Sequence, residues 1–260
     1  MAFFTRILNI KRALLIRLRD ERQQSRHRVG ADFPLLASLK LTEGDGSAPE
    51  ATAGRVGEWS GRVSEVSAYG LSLRLPPEAT ATRNEVSTVR FDLEGRRLDM
   101  PCSVAHFRVY PAYALCGLRL EFGDFAQQRA WHQIVEAVGL GASFTPVEGR
   151  RAPRPALGLV RRQWSSLRHS RLTEWRETGT RKLDRFEFLL EDFRIESRMA
   201  DPDLTIRSEG NHGRRPSPTV DVEVRQLLLW IVANMPASVP ADLKKFMCLA
   251  ANAPDYPPKR

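Results

Sequence analysis

Between residues 60 and 122, apolar and polar residues alternate in short runs that are separated by turn signals. In the clearest run, Leu71, Leu73 and Leu75 alternate with a serine and an arginine, which is the period of a half-buried strand. The strands predicted in this way span residues 33–41, 60–67, 70–76, 87–93, 97–109 and 114–122. Short strands at this spacing favour a small antiparallel barrel or sandwich. Residues 125–138 change to a helical period, and their apolar stripe could close one mouth of a barrel.

The residues before this alternating region predict a basic amphipathic helix over 2–21. Its apolar stripe is flanked by arginine and lysine, a pattern found in helices that lie on a membrane surface or dock on a partner. The alternative is a helix that packs on its own domain or on a second subunit, so a homodimer is compatible with the sequence. Residues 42–58 are rich in Gly, Ala, Glu and Thr and predict a long loop.

Beyond Gly141 the composition changes, and we expect a basic, largely helical and partly disordered region. Its predicted parts are a proline-containing linker at 142–156, helices at 156–178 and 181–199, a disordered segment at 201–219, an apolar segment at 220–235 that Pro236 ends, and a short helix at 241–251. The domains predicted for the whole chain are therefore an N-terminal helix at 1–21, a β domain at 22–140 and a C-terminal region at 141–260.

The composition narrows the function. A formal net charge of +9 among 260 residues attracts polyanions, anionic lipids or an anionic ligand, without choosing among them. The three cysteines fit neither a metal-ligand spacing nor a disulfide framework, so we expect reduced thiols in a cytoplasm. Neither a secretory signal nor an apolar run of the ~20 residues that span a membrane is present, so we expect a cytoplasmic protein whose basic segments could contact a membrane. No nucleophile–His–acid set, glycine-rich phosphate loop or metal cluster is recognisable, which predicts a protein that is not an enzyme and carries no cofactor or metal.

Two short motifs carry the chemical information. The first is the cluster Arg22-Gln-Gln-Ser-Arg26-His-Arg28, which leads directly into an apolar segment. The second is Glu65-Val-Ser67-Ala-Tyr-Gly70, which lies between two predicted strands. Arginine forks followed by a carboxylate, a hydroxyl and a glycine could surround a ligand rich in phosphate and guanine. Each motif alone has an ordinary interpretation, since arginine runs are often solvated and Ser-x-x-Gly is often only a turn.

Together with the order of the strands, these motifs make residues 22–140 resemble a PilZ domain, the bacterial receptor module for cyclic di-GMP. The resemblance also includes the Gly-Leu-x-Leu-x-Leu-Pro run at 70–76, the Gly-Leu-Arg-Leu-Glu-Phe strand at 117–122 and the closing helix. It implies a six-stranded antiparallel PilZ-type β-barrel. Both motifs depart from the family pattern, because Gln24 holds one arginine position if Arg28 holds the other, and Glu65 stands where Asp or Asn is usual.

The resemblance implies that Arg22, Arg26 and Arg28 clamp cyclic di-GMP from a mobile arm, while Glu65, Ser67 and Gly70 receive it on the barrel surface. An arginine fork matches the O6 and N7 edge of guanine or a phosphate, and a carboxylate can accept hydrogen bonds from guanine N1 and N2. A serine can donate to a phosphate oxygen, and a glycine permits close approach or a positive φ.

We therefore predict a receptor in which ligand binding orders the arginine arm, repositions the N-terminal helix and signals to an unidentified downstream protein. The alternative is a ligand-independent interaction module, a degenerate barrel that tethers a basic C-terminal region to protein, membrane or nucleic acid. In that case Trp164 and Trp175, which are interleaved with arginines, could stack on bases or lie at a membrane interface, unless they pack inside the protein.

Overall fold

The strands of the alternating region are present where the sequence predicts them. The computed structural model describes residues 25–41, 57–147, 158–167, 170–209 and 213–253. Its first strands are β1 (His27–Arg28), β2 (Leu35–Leu41), β3 (Glu58–Ser67), β4 (Gly70–Leu75), β5 (Val86–Leu93), β6 (Arg96–Tyr110) and β7 (Tyr113–Leu120). The chain divides between Glu136 and Ala137 into two compact units, which are described separately below.

The strands of the first unit close into a barrel. Their hydrogen-bonded order is β1-β3-β2-β5-β6-β7-β4, and β3 also pairs with β4. That last pairing joins the two ends of the row, so β2 to β7 form a closed six-stranded antiparallel barrel and β1 lies outside it along β3. The mainly β class with helices and the six-stranded barrel are thus confirmed.

The period-two alternation explains the core of the barrel. Leu71, Leu73 and Leu75 are all buried, whereas the intervening Arg74 is exposed. Equivalent alternation on β5, β6 and β7 buries a set of apolar side chains that includes Val89, Phe91, Leu93, Met100, Cys102, Val104, Cys116 and Leu118. On β3, where a bulge interrupts the alternation, Val63 and Val66 are buried. Polar side chains consequently lie on the outer face, where a ligand could reach them.

Helix α1 (Phe125–Ala142) follows the barrel, as predicted. Its start is fixed by Asp124, whose carboxylate accepts a hydrogen bond from the Gln127 amide at 2.7 Å. The Gln127 side chain reaches back and accepts from the Gly123 amide at 2.9 Å. Trp131 is fully buried, with its ring centroid 5.0 Å from that of Phe91 on β5, so the helix packs on the barrel through this side chain.

The second unit contains a six-stranded antiparallel sheet. Its strands are β8 (Thr145–Pro146), β9 (Leu159–Ser165), β10 (Arg171–Glu177), β11 (Leu183–Leu190), β12 (Phe193–Arg198) and β13 (Asp201–Ser208). Each strand pairs with its neighbour in sequence, so the sheet is a meander. Helices α2 (Pro218–Ala233) and α3 (Ala241–Asn252) follow it, and the ring of Phe246 on α3 meets Phe186 on β11 edge-on at 5.5 Å.

The helices predicted at 156–178 and 181–199 are wrong, because the described parts of both segments are strands. Leu183, Phe186 and Leu190 satisfy a helical spacing, but Phe186, Phe188 and Leu190 satisfy a strand spacing equally well. A hairpin-turn sequence would distinguish the strand from the helix, but the turn here lacks the residues that usually mark one. The turn between β11 and β12 places Glu191, rather than glycine or asparagine, at φ 51°.

Of two further predictions for this region, the structure contradicts the first in part and confirms the second. The segment predicted to be disordered at 201–219 begins with strand β13. The short helix predicted at 241–251 is present as α3.

Trp164 is 3% exposed and its indole donates a hydrogen bond to the Ser238 carbonyl at 3.2 Å. It therefore packs inside the second unit and is not available to stack on a base.

Some predictions concern residues outside the described ranges. These include the helix at 2–21, most of the loop at 42–58 and the later part of the linker at 142–156. The domain boundaries after residues 21 and 140 remain predictions. Within the described ranges, none of the helices combines the length and the apolarity that crossing a bilayer requires.

Candidate functional site

The second motif forms the hairpin turn between β3 and β4. Ser67 pairs with Gly70, so that Ala68 and Tyr69 make a two-residue turn. The Ser67 hydroxyl donates a hydrogen bond to the Gly70 carbonyl at 3.1 Å and so closes the turn. The motif residues Ser67 and Gly70 are thus brought together by the local fold, at the end of the barrel strand that also carries Glu65.

The backbone of this turn is held by two other elements. On α1, the Trp131 indole donates to the Ser67 carbonyl at 2.9 Å, and a ring nitrogen of His132 lies 3.1 Å from the Ala68 carbonyl. On the barrel side, the Leu120 amide donates to the Tyr69 carbonyl at 2.9 Å. Three consecutive carbonyls therefore have partners, and the turn is a fixed platform rather than a loose loop.

Gly70 is required by close packing rather than by its own conformation. Its φ does not lie in the positive region. A Cβ at this position would lie 2.5 Å from the Leu118 carbonyl oxygen, which belongs to the backbone of β7 and cannot move without disturbing the sheet. Gly70 thus allows β7 to approach closely, and its role toward a ligand stays a prediction.

The end of the arginine motif lies along β3. His27 pairs with Val66, Arg28 pairs with Glu65, and the Val29 amide donates to the Ser64 carbonyl at 3.0 Å. Because partners in an antiparallel pair share a face of the sheet, Arg28 is on the same side as the Glu65 carboxylate. Arg28 is exposed, and Arg22 lies outside the described ranges.

The two motifs meet at a shallow recess on the outside of the barrel. The recess has a volume of about 70 Å³, and its lining includes Arg26, Glu65, Ser67 and Gly70. Four of the six predicted site residues therefore surround one recess, with a fifth, Arg28, in the adjacent strand. This placement leaves the binding roles of these residues as predictions.

The recess lining also contains residues that the sequence reasoning missed. Three of them are Ser72, Gly117 and His106. They belong to one transverse row of directly paired residues across β3, β4, β7 and β6, in which Glu65 pairs with Ser72, Ser72 with Gly117, and Gly117 with His106. Only the pairing of non-consecutive strands brings them together, so no local signal in the sequence identifies them.

Two β-bulges shape this part of the barrel. One lies in β3 between Val63 and Glu65, and the other in β6 between Val104 and His106. A bulge inserts one residue and changes which side chains face outward. Without the second bulge, His106 would continue the inward series that ends at Val104, and the recess would lose one wall.

The barrel interior beside the recess carries two thiols that are unsuited to chemistry at neutral pH. Burial raises the pKa of Cys102 to about 11 and that of Cys116 to about 12, so both remain protonated thiols. Across the ranges that the structure describes, no three His, Cys, Asp or Glu side chains are arranged to hold a metal ion.

Comparison with known families agrees with the barrel fold of the first unit. Residues 20–138 match the family model of the PilZ domain, a range that includes all seven strands of the first unit and most of α1. No curated protein matches the chain. PilZ domains form a family of receptors that bind cyclic di-GMP, and they act as binding modules rather than as enzymes. Residues 20–138 of the chain therefore form a PilZ domain.

Proposed function

We propose that this protein binds cyclic di-GMP at the barrel recess and acts as a receptor that passes the signal through its N-terminal arm to a partner protein. The observation that supports this most directly is the convergence of Arg26 with Glu65, Ser67 and Gly70 around one recess, although the two motifs are about forty residues apart in the sequence. Cationic and acidic groups at one shallow surface site suit a ligand that has both phosphates and guanine donors.

The size of the recess indicates how such a ligand would be held. A pocket that encloses a whole small molecule typically has about 300–1,000 Å³. The recess has about 70 Å³, which is enough for part of one base or one phosphate. Most of a dinucleotide would therefore lie outside the recess, and the arginine arm has to supply the remaining contacts.

The proposed roles follow from the chemistry of each side chain. Arg26 and Arg28 contact phosphate or the O6 and N7 edge of guanine, and Glu65 accepts hydrogen bonds from guanine N1 and N2. Ser67 is a special case because its hydroxyl proton is already used in the bond to the Gly70 carbonyl. To donate to a phosphate oxygen it must first leave that carbonyl, so we expect a smaller contribution from Ser67 than from the arginines.

The same contacts define the proposed switch. Because His27 and Arg28 pair with β3, the end of the arm is attached to the barrel next to Glu65. We propose that ligand binding draws the basic residues that precede this attachment onto the barrel. These residues carry repelling positive charges, which the ligand phosphates would neutralise.

The test is isothermal titration calorimetry of the full chain with cyclic di-GMP. Arg26→Ala and Arg28→Ala should each weaken binding by about 10- to 100-fold, since a hydrogen bond to a charged group contributes about 1.5–3 kcal/mol. Arg97→Ala is the matched control, because Arg97 is 74% exposed on β6 and is not part of the recess lining. Equal affinity in the wild type and in both of these arginine variants would refute the proposed site.

The alternative function is a ligand-independent interaction module. The structure does not favour the version of this alternative in which tryptophans stack on nucleic-acid bases. Trp164 is buried, and the Arg185 guanidinium carbon lies 4.7 Å from the centroid of the Trp175 ring. A well-folded wild-type protein that shows no calorimetric response to cyclic di-GMP would favour this alternative.

A further inference from the structure

A histidine outside both family motifs occupies the wall of the recess opposite the arginines. His106 is half-buried and lines the recess together with Arg26, Glu65 and Gly117. The inward series on β6 runs through Met100, Cys102 and Val104, so simple alternation would place His106 inside the barrel. The bulge between Val104 and His106 reverses this and turns the imidazole outward.

The imidazole rests on a glycine. A Cβ built on Gly117 would lie 2.0 Å from Cε1 of His106, 2.4 Å from Nδ1 and 2.5 Å from Nε2. Three ring atoms at nearly the same distance mean that the face of the ring, not its edge, covers the glycine. Any larger residue at position 117 would displace the ring, so Gly117 provides the space in which it lies flat on the sheet.

Because the imidazole lies flat on Gly117, a base that stacks on it lies over the outer face of the ring, and the spacing across the sheet brings the edge of that base toward Glu65. Glu65, Ser72 and Gly117 are successive partners on β3, β4 and β7, so Glu65 and Gly117 are two strand spacings apart, or about 10 Å. The Glu65 carboxylate can therefore meet the edge of a base that lies over the imidazole. Ser72, which lies between them on β4, has a small side chain and is buried, so it does not stand between the base and the carboxylate.

We infer that His106 is a stacking platform for one guanine of the ligand, and thus a binding residue that neither motif contains. This inference rests on the proposed function and adds to it the residue that recognises the face of a base. Aromatic faces stack on bases whatever hydrogen bonds the base makes at its edges. Glu65 would read the edge of the guanine while His106 holds its face, and the arginines would contact the phosphates.

The test compares four single variants and one double variant of the full chain by calorimetry with cyclic di-GMP. His106→Ala and His106→Gln should each weaken binding about ten-fold, which corresponds to about 1.4 kcal/mol. His106→Phe keeps a flat ring and should stay within about three-fold of the wild type. Gly117→Ala should weaken binding because its Cβ displaces the imidazole, but it should have no further effect when combined with His106→Ala.

The outcomes separate this inference from the proposed function. If His106→Ala binds as the wild type does while Arg26→Ala does not bind, the platform is refuted and the receptor function stands. A glutamine variant that binds better than the phenylalanine variant would show a hydrogen-bonding role and also overturn the platform. If the folded wild type does not bind cyclic di-GMP, both proposals fail together.

Discussion

Replacing Trp131 by Phe tests whether α1 holds the turn from Ser67 to Gly70, the proposed ligand-binding turn, in place. The Trp131 indole is fully buried, and it donates to the Ser67 carbonyl at 2.9 Å from outside the hairpin. Phenylalanine keeps an aromatic ring against Phe91 but removes this donor. The turn would retain its contacts from His132 and from the Leu120 amide, so it should loosen rather than unfold.

The expected loss of stability has two parts. Leaving the half-buried Ser67 carbonyl without its donor costs about 1–3 kcal/mol. Truncating a buried Trp to Ala costs about 3–5 kcal/mol, and Phe retains roughly half of the rings, so the packing loss is about 1.5–2.5 kcal/mol. The free energy of unfolding of the first unit should therefore fall by about 2.5–5.5 kcal/mol. If binding must reorder the loosened turn at about 1 kcal/mol, the dissociation constant for cyclic di-GMP rises about five-fold.

Scanning calorimetry measures the loss of stability, and titration with cyclic di-GMP measures the change in the dissociation constant. Trp230→Phe is the matched control, because Trp230 is also a buried tryptophan, but it lies on α2 in the second unit. It should lower the stability of that unit and leave ligand affinity unchanged. An unaltered free energy of unfolding for Trp131→Phe, or an equal loss of affinity in both variants, would refute the idea that α1 fixes the turn.

Two further predictions concern charge and protonation. Arg176→Met should destabilise the second unit by about 3–5 kcal/mol in chemical denaturation, because it leaves the fully buried Glu174 carboxylate without its 2.8 Å partner. Asp242→Asn should cost about 1 kcal/mol or less, since the Asp242 side chain is 57% exposed. A larger loss of stability for Asp242→Asn than for Arg176→Met would contradict this account. Burial raises the pKa of the Cys102 thiol to about 11 and that of the Cys116 thiol to about 12, against 9.0 in the unfolded chain. The contribution of both thiols to stability is therefore complete below pH 9 and is lost as the pH rises toward 12. The free energy of unfolding should fall between pH 8 and pH 10, and it should fall less in Cys102→Ala; an equal fall in that variant would contradict this prediction.

The barrel could be predicted from sequence because each of its strands has one buried face. Alternation at Leu71, Leu73 and Leu75, and again at Val89, Phe91 and Leu93, has a single physical interpretation when the other face is solvated. A slip of one residue would expose the whole apolar set, so the pattern also fixes the register.

The strands of the second unit were not predictable in the same way. In β10, Leu172, Thr173 and Glu174 are consecutive and all buried, so the strand shows no alternation. Burial on both faces removes the period-two signal and leaves a short mixed run that a helix explains equally well. The turn at Glu191, which lacks glycine, removes the remaining signal.

The candidate site was predictable only in the parts that are local in sequence. The turn from Ser67 to Gly70 could be recognised as a motif, and so could the arginine cluster around Arg26. Their proximity depends on the pairing of β1 with β3, which no local pattern specifies. The resemblance to a family provided that information, since the family pattern combines both motifs.

The remaining part of the site lies where the barrel departs from ideal geometry. Both bulges of the β3 and β6 strands adjoin the recess, and each interrupts the alternation that made the rest of the barrel predictable. A regular strand would leave His106 facing the core, where an imidazole would need a buried partner. The irregularity instead turns it outward over Gly117, so the positions at which alternation fails are those that form the wall of the recess. Departures from local rules near a surface recess are therefore evidence about function, and here they direct the first experiments to His106 and Gly117.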